Sequence, residues 1–402
     1  MRALIADKIA PVGRRGLADL GFEVVFAPDT TAEALPQAMA EHDPTVVVVR
    51  STKVTEAAIA AGRQLALVVR AGAGVNTIDL AAASRRGVFV ANCPGKNAVA
   101  VAELAIGLLL ALDRRIVDAN ADLHAGTWNK KKYGTGRGLF GRTLGLVGFG
   151  AIAREVATRA AGLGMRVLAY SRTLDDATAR AHGVERAPDL DAMLERLDAL
   201  SIHVPLTEQT RHLFDETRLR RLPKGAYLIH TARGGVVDDA ALAKLVSEGH
   251  LRAGLDVFEG EPGAGTAPFE SPLRGVAGVV GTPHIGASTA QAEHATGEEV
   301  VRVVRQYLET GTPANAVNVM RDRPARWTVV VRHRDRVGVL AAVLGALREA
   351  DLNVQEMQNV VFAGDEAACA TITIEREPTA DLVARLSASP DVFSVDVRAI
   401  GG

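Results

Sequence analysis

Arg233, Glu261 and His284 follow one another along the chain, each just past a short apolar run that reads as a buried strand. Arg233 comes after residues 228–232, Glu261 after 254–258 and His284 after 279–283. In an open parallel sheet, ligands bind outside the carboxyl ends of the strands, so three such positions can converge on one crevice. Their side chains suit hydride transfer at a 2-oxo or 2-hydroxy acid. An arginine fork holds the carboxylate and polarises the ketone. An imidazole exchanges the hydroxyl proton near neutral pH, and a carboxylate beside it orients the ring and favours its charged form.

Hydride transfer needs a carrier, and residues 143–153, TLGLVGFGAIA, look like a place to hold one. An apolar run meets a glycine turn, and a helical pattern follows. Gly148 permits the tight turn, Gly150 lets a diphosphate approach the backbone, and small Ala153 lets the helix pack on the strand. N–H groups at the head of that helix, at Ala151 and Ile152, would face the diphosphate together with the positive end of the helix dipole. An acidic residue about 20 positions further on ordinarily binds the ribose 2′-hydroxyl. Here the next strand ends in Ser171-Arg172-Thr173, with Asp175 and Asp176 a few residues beyond. The cofactor is therefore NAD or NADP, and Ser171 with Arg172 raises NADP.

The elements that must position these residues come in three blocks. Runs at residues 2–6, 23–26, 45–50, 65–70 and 87–91 alternate with helical patterns, and a second series of runs extends from 143 to 281. Alternation of this kind predicts parallel, doubly wound sheets. The apolar stretch 98–112 carries Glu103 and predicts a buried helix, and 289–310 predicts another. Beyond Arg326 the pattern shortens to strand, helix, two strands, helix and strand, a ferredoxin-like βαββαβ unit. Residues Arg321 to Pro324 suit a linker.

Composition narrows the function classes. The 402 residues are 48% hydrophobic and 23% charged with a formal charge of −1, which gives no reason to expect nucleic acid or an anionic membrane as partner. Two cysteines, Cys93 and Cys369, are too few for a disulfide framework or a cysteine metal site, so no metal is expected. The N-terminus runs into a strand-like pattern without the apolar region of a signal peptide, and a cytoplasmic location is expected.

The chain resembles the D-isomer-specific 2-hydroxyacid dehydrogenases. The matching segments are VVRSTKVT (48–55), RAGAGVN (70–76), HVPLT (203–207), TARGGVVD (231–238), GLDVFEGEP (254–262) and TPHIGAST (282–289). The resemblance implies that Arg233, Glu261 and His284 are catalytic, that Val204, Thr231, Ala232 and Asp256 lie on the cofactor, and that Asp256 is near the nicotinamide amide. It implies a split substrate domain of residues 1–97 and 285–320, a cofactor domain of residues 98–284 inserted between, and a homodimer or homotetramer. Arg50, Ser51, Gly72, Ala73, Gly74 and Lys131 match places where the family's phosphoglycerate-oxidising members gather charge around the substrate. The expected reaction is oxidation of 3-phosphoglycerate at its 2-hydroxyl, in serine biosynthesis. Hydroxypyruvate and glyoxylate reductases share the same trio and are the alternative, with a dinucleotide-sensing corepressor as a third reading.

Residues 326–402 resemble the ACT domain, a regulatory module that binds amino acids between paired copies. By that resemblance His333, Asp335 and Asn353 fall where an effector's ligands would lie. The family often has Asn where Asp335 stands and Pro where Val337 stands. A carboxylate at 335 suits an ammonium but not a serine carboxylate, so effector binding and a purely structural role both stand open.

Overall fold

In a computed structural model, which describes residues 1–262, 266–320 and 326–400, the chain divides into two compact units, Met1–Asn318 and Val319–Gly402. The expected linker, 321–324, lies outside the described residues.

The first unit holds two parallel sheets. Strands β1 (Arg2–Ile5), β2 (Glu23–Phe26), β3 (Val46–Val49), β4 (Leu67–Arg70) and β5 (Phe89–Asn92) form the first, in the order β2-β1-β3-β4-β5. Four consecutive valines in β3 are fully buried, as expected of a central parallel strand covered on both faces. The second sheet has β6 (Thr143–Val147), β7 (Arg166–Tyr170), β8 (Glu185–Arg186), β9 (Ala199–Ile202), β10 (Ala226–His230), β11 (Leu251–Leu255) and β12 (Val279–Gly281). Its order, β12-β11-β10-β9-β6-β7-β8, reverses direction between β6 and β9, the switch point at which doubly wound sheets bind dinucleotides. β8, only two residues long, is not anticipated by the apolar pattern.

Two long helices connect the sheets. Helix Ala98–Arg114 is the apolar stretch expected to be buried, and it packs against β10, β11, β12 and the helix Ala151–Gly162. Helix Ala290–Thr310 is capped by the Thr289 side chain and returns to the first sheet. There its Val300, Val303 and Val304 join Ala3, Ile5, Val46 and Val48 in one core cluster. The chain therefore leaves the first sheet, builds the second, and comes back to bury its last helix on the first.

The second unit is a four-stranded antiparallel sheet of β13 (Trp327–Arg334), β14 (Val354–Val361), β15 (Ala367–Ile374) and β16 (Val392–Ala399), ordered β14-β15-β13-β16. Helices Val339–Glu349 and Ala380–Ser387 cover one face, with Val329, Val331, Val343, Leu347, Ile372 and Leu382 in the core. This is the expected βαββαβ unit. No helix among the described residues is long and apolar enough to cross a membrane.

Candidate active site

The glycine turn forms as its residue types require. Gly148 has φ +87, and a Cβ there would sit 2.5 Å from the carbonyl oxygen of His203, so only glycine fits. Its N–H donates to the Tyr170 carbonyl (2.9 Å), which ties the end of β7 to the turn. Helix Ala151–Gly162 opens at Gly150 with no side chain capping it, and the space where a Cβ of Gly150 would stand is empty. A backbone cradle without a side-chain cap fits a diphosphate. Further along the same strand ends, the hydroxyl of Thr231 is buried and lacks a partner among the described residues. An orphaned buried hydroxyl is costly unless a ligand satisfies it. Both observations fit a dinucleotide at this edge, with Val204 and Ala232 half-buried nearby in sequence at the ends of β9 and β10.

At the ends of β11 and β12 the expected pair meets. His284 Nδ1–H donates to Glu261 Oε2 at 2.6 Å, and Glu261 Oε1 accepts from the Phe258 N–H at 3.0 Å. The carboxylate raises the His284 pKa above its ordinary 6.5 against the opposing pull of burial. For Glu261, burial acts upward, but the bonds from His284 and Phe258 outweigh it and hold the carboxyl below its usual range. His284 also sits at φ +53, a conformation that bulky residues rarely adopt and that functional sites retain.

Asp256, expected beside the nicotinamide amide, is 1% exposed and spends its carboxylate on the loop that carries His284. It accepts from Thr282 Oγ1 (2.6 Å), Ile285 N (2.8 Å) and Gly286 N (2.8 Å). The geometry gives it the work of shaping that loop.

Arg233 is half-buried and donates to the carbonyl of Ala232 (2.6 Å), while the neighbouring His230 donates from Nε2 to the Arg233 carbonyl (2.9 Å). Burial pushes the His230 ring down to about 4, so it is a neutral prop. A Cβ on Gly74 would lie 3.2 Å from Arg233 Nη2, which brings the glycine loop 72–74 of the first sheet against the arginine. Arg70, at the end of β4, was not singled out from the sequence. Burial, then the positive charges of Arg233 and Arg50, lower its pKa. Its Nε donates to the Arg50 carbonyl (2.9 Å), and Arg50 pairs with Glu293 (2.6 Å). The available signal was a cation placed directly before the glycine loop at a strand end.

Ser51, expected at the substrate, bonds through its hydroxyl to Asp7 (2.9 Å). Asp7 also collects the N–H groups of Arg50, Ser51 and Thr52 at 2.7, 3.0 and 2.9 Å, fixing the loop after β3. Lys131 lies apart on the exposed four-residue helix Lys130–Tyr133, where Lys132 pairs with Asp122. A second clamp joins the loops bearing Arg233 and Glu261. His212 Nε2 meets Glu259 at 2.6 Å, its N–H donates to the Gly235 carbonyl (2.8 Å), and Asp239 accepts the Glu259 N–H (2.9 Å).

In the second unit His333 is 1% exposed, donating from Nδ1 to the Arg334 carbonyl (2.7 Å) and meeting the Asn359 side chain through Nε2 (3.3 Å). Asp335 and Asn353 are exposed. The ring is thus occupied inside the unit. Among the described residues no group of His, Cys, Asp and Glu could hold a metal ion.

Residues 106–286 match the family described as "D-isomer specific 2-hydroxyacid dehydrogenase, NAD binding domain". D-3-phosphoglycerate dehydrogenase of Mycobacterium tuberculosis is 38% identical over 426 residues, covering 99% of this chain and 78% of that protein. The chain belongs to the D-isomer specific 2-hydroxyacid dehydrogenase family. The D-3-phosphoglycerate dehydrogenase of Methanocaldococcus jannaschii is also 38% identical, over 79% of this chain and 60% of that one's length. Hydroxypyruvate reductase of Thermotoga maritima is 44% identical over 65% of this chain and 84% of that protein. The TT0316 protein of Thermus thermophilus, a solved structure, superposes with a TM-score of 0.70 and 32% identity over 79% of this chain and all of that one. As a 2-hydroxyacid dehydrogenase the chain is an oxidoreductase acting on a small molecule, with a nicotinamide dinucleotide as cofactor.

Proposed function

We propose that the chain oxidises the 2-hydroxyl of 3-phosphoglycerate to a ketone, the entry reaction of serine biosynthesis. The observation that carries this reading is a chain of charge: Arg50 and Arg70 act on each other and Arg70 on Arg233, while Arg233 acts on the His284–Glu261 pair. A substrate with a carboxylate at one end and a phosphate at the other needs more cationic fork than a simple 2-oxo acid does. Arg233 holds the carboxylate and the ketone oxygen, and Arg50 and Arg70 meet the phosphate. His284 Nε2 takes the hydroxyl proton in the oxidation and returns it in the reverse direction, and Glu261 stabilises the charged ring. The backbone at Gly148, Gly150, Ala151 and Ile152, with the Thr231 hydroxyl, would hold the dinucleotide, which supplies the hydride acceptor. Asp256 keeps His284 in place.

The same reading takes residues 1–97 and 285–320 as the substrate domain and 98–284 as the cofactor domain. The return of helix Ala290–Thr310 to the first sheet and the packing of helix Ala98–Arg114 on the second support that division. Residues 326–402 act as an ACT-type module. With His333 already bonded within the fold, exposed Asp335 and Asn353 are the residues left to meet an amino-acid effector through its ammonium. A cytoplasmic homodimer or homotetramer is the assembly we assign.

Assay of the purified chain with 3-phosphoglycerate, hydroxypyruvate and glyoxylate tests the reading. Turnover of 3-phosphoglycerate with the highest kcat/KM supports it. The second reading, a hydroxypyruvate reductase, is favoured by the identity to the Thermotoga protein, and it stands if 3-phosphoglycerate is not turned over.

A further inference from the structure

The loop after β7 carries an inference about which dinucleotide the site takes, and it rests on the dinucleotide reading above. The end of β7 is joined to the glycine turn by the bond from Gly148 N to the Tyr170 carbonyl, so Ser171 begins where the adenosine ribose of a dinucleotide on that turn would lie. No carboxylate stands there to accept the ribose hydroxyls. Ser171 and Thr173 bring their hydroxyls within 3.5 Å of each other. Arg172 is exposed and donates to a neutral acceptor, Gln209 Oε1 at 3.1 Å, in the loop after β9. That anchor joins the loop after β7 to the loop after β9.

The nearby acids do not substitute for the missing one. Asp175 is the N-cap of helix Asp176–Ala181, its Oδ1 accepting the Thr178 N–H at 2.6 Å. Asp176 faces Arg186 at 3.4 Å, and Arg186 is itself anchored on the Leu174 carbonyl at 2.7 Å. Each carboxylate is thus committed to the loop's own structure. What remains open is one guanidinium flanked by two hydroxyls, the donor set for a phosphate monoester.

We propose that Ser171, Arg172 and Thr173 form a 2′-phosphate site, so that the chain binds the 2′-phosphorylated dinucleotide, NADP(H), in preference to NAD(H). The phosphate displaces Gln209 from Arg172 and accepts from both hydroxyls. NAD(H) gains nothing from the same three residues and loses the usual carboxylate bond to its ribose.

Direct binding decides this without turnover. NADPH and NADH are titrated into the full chain by calorimetry or nicotinamide fluorescence, with Arg172→Ala and Ser171→Asp alongside. The expected result is NADPH at least about tenfold tighter, from charge-assisted bonds. Arg172→Ala should abolish that preference while leaving NADH binding as it was, and Ser171→Asp should reverse it. Equal or tighter binding of NADH by the unaltered chain overturns the proposal, as does an equal loss for both dinucleotides in Arg172→Ala, which would make Arg172 an adenine contact. Binding of neither dinucleotide overturns the proposal and the dinucleotide reading together, whereas failure of the preference alone leaves that reading standing.

Discussion

The two parallel sheets of the first unit present charge at their strand ends in different conditions. At the first sheet, Asp7 satisfies the backbone after β3 and Glu293 neutralises Arg50, so much of the charge is answered from within the chain. At the second sheet, His284 and Glu261 answer each other through one ring nitrogen, and the Thr231 hydroxyl has no hydrogen-bond partner among the described residues. On the proposed reading, the first side is a binding surface whose cations are partly occupied, and the second a reacting surface whose bonds substrate and cofactor would complete. On that reading a phosphate competes with Glu293 for Arg50, while at the second sheet a proton moves at His284 as the hydride passes to the dinucleotide.

If the second sheet carries the reaction, His284→Ala should lower kcat in either direction by about 10²–10⁴, the usual contribution of a positioned acid or base. Dinucleotide binding by calorimetry should be unchanged. Activity near the unaltered level would remove His284 from the reacting surface.

Glu261→Gln sharpens the same point through pH. Because Glu261 raises the His284 pKa above 6.5, reduction, which needs the charged ring, should be full at low pH and decline as pH rises through that raised value. Oxidation, which needs the neutral ring, should rise through the same midpoint. In Glu261→Gln the main upward influence is gone, and both kcat/KM profiles should shift toward lower pH. A profile that does not move would mean that another group titrates.

Glu293→Gln breaks the comparison from the first sheet. Releasing Arg50 from its carboxylate should lower KM for 3-phosphoglycerate by about two- to fivefold with little change in kcat, as expected when a partly exposed ion pair competes weakly. An increase in KM would show that Glu293 orients Arg50 for the substrate.

The positions of Arg233, Glu261 and His284 past the ends of β10, β11 and β12 were legible from the sequence because three apolar runs fix three strand ends. The glycine turn was legible because Gly148 has a local steric reason to be glycine. Asp7 was not, since its role depends on N–H groups more than forty positions away that only strand pairing brings to it. Arg70 was hidden for a related reason, as the crowding that marks it comes from Arg50 on the adjacent strand and Arg233 on the other sheet. Asp256 is placed on the cofactor by the resemblance alone; in space its carboxylate accepts from the Thr282 hydroxyl and the N–H groups of Ile285 and Gly286, which the sequence does not announce. Ser51 and His333 follow the same pattern, polar residues in the expected places whose bonds the fold has already used.

The central claim, that the first sheet's cations recognise a phosphate beside the reacting surface of the second, is tested most directly by Arg70→Ala assayed with 3-phosphoglycerate and with hydroxypyruvate, which lacks the phosphate. The account predicts that kcat/KM for 3-phosphoglycerate falls by at least about tenfold more than for hydroxypyruvate, since one charge-assisted pair to the phosphate is lost. Equal losses for the two substrates would contradict it.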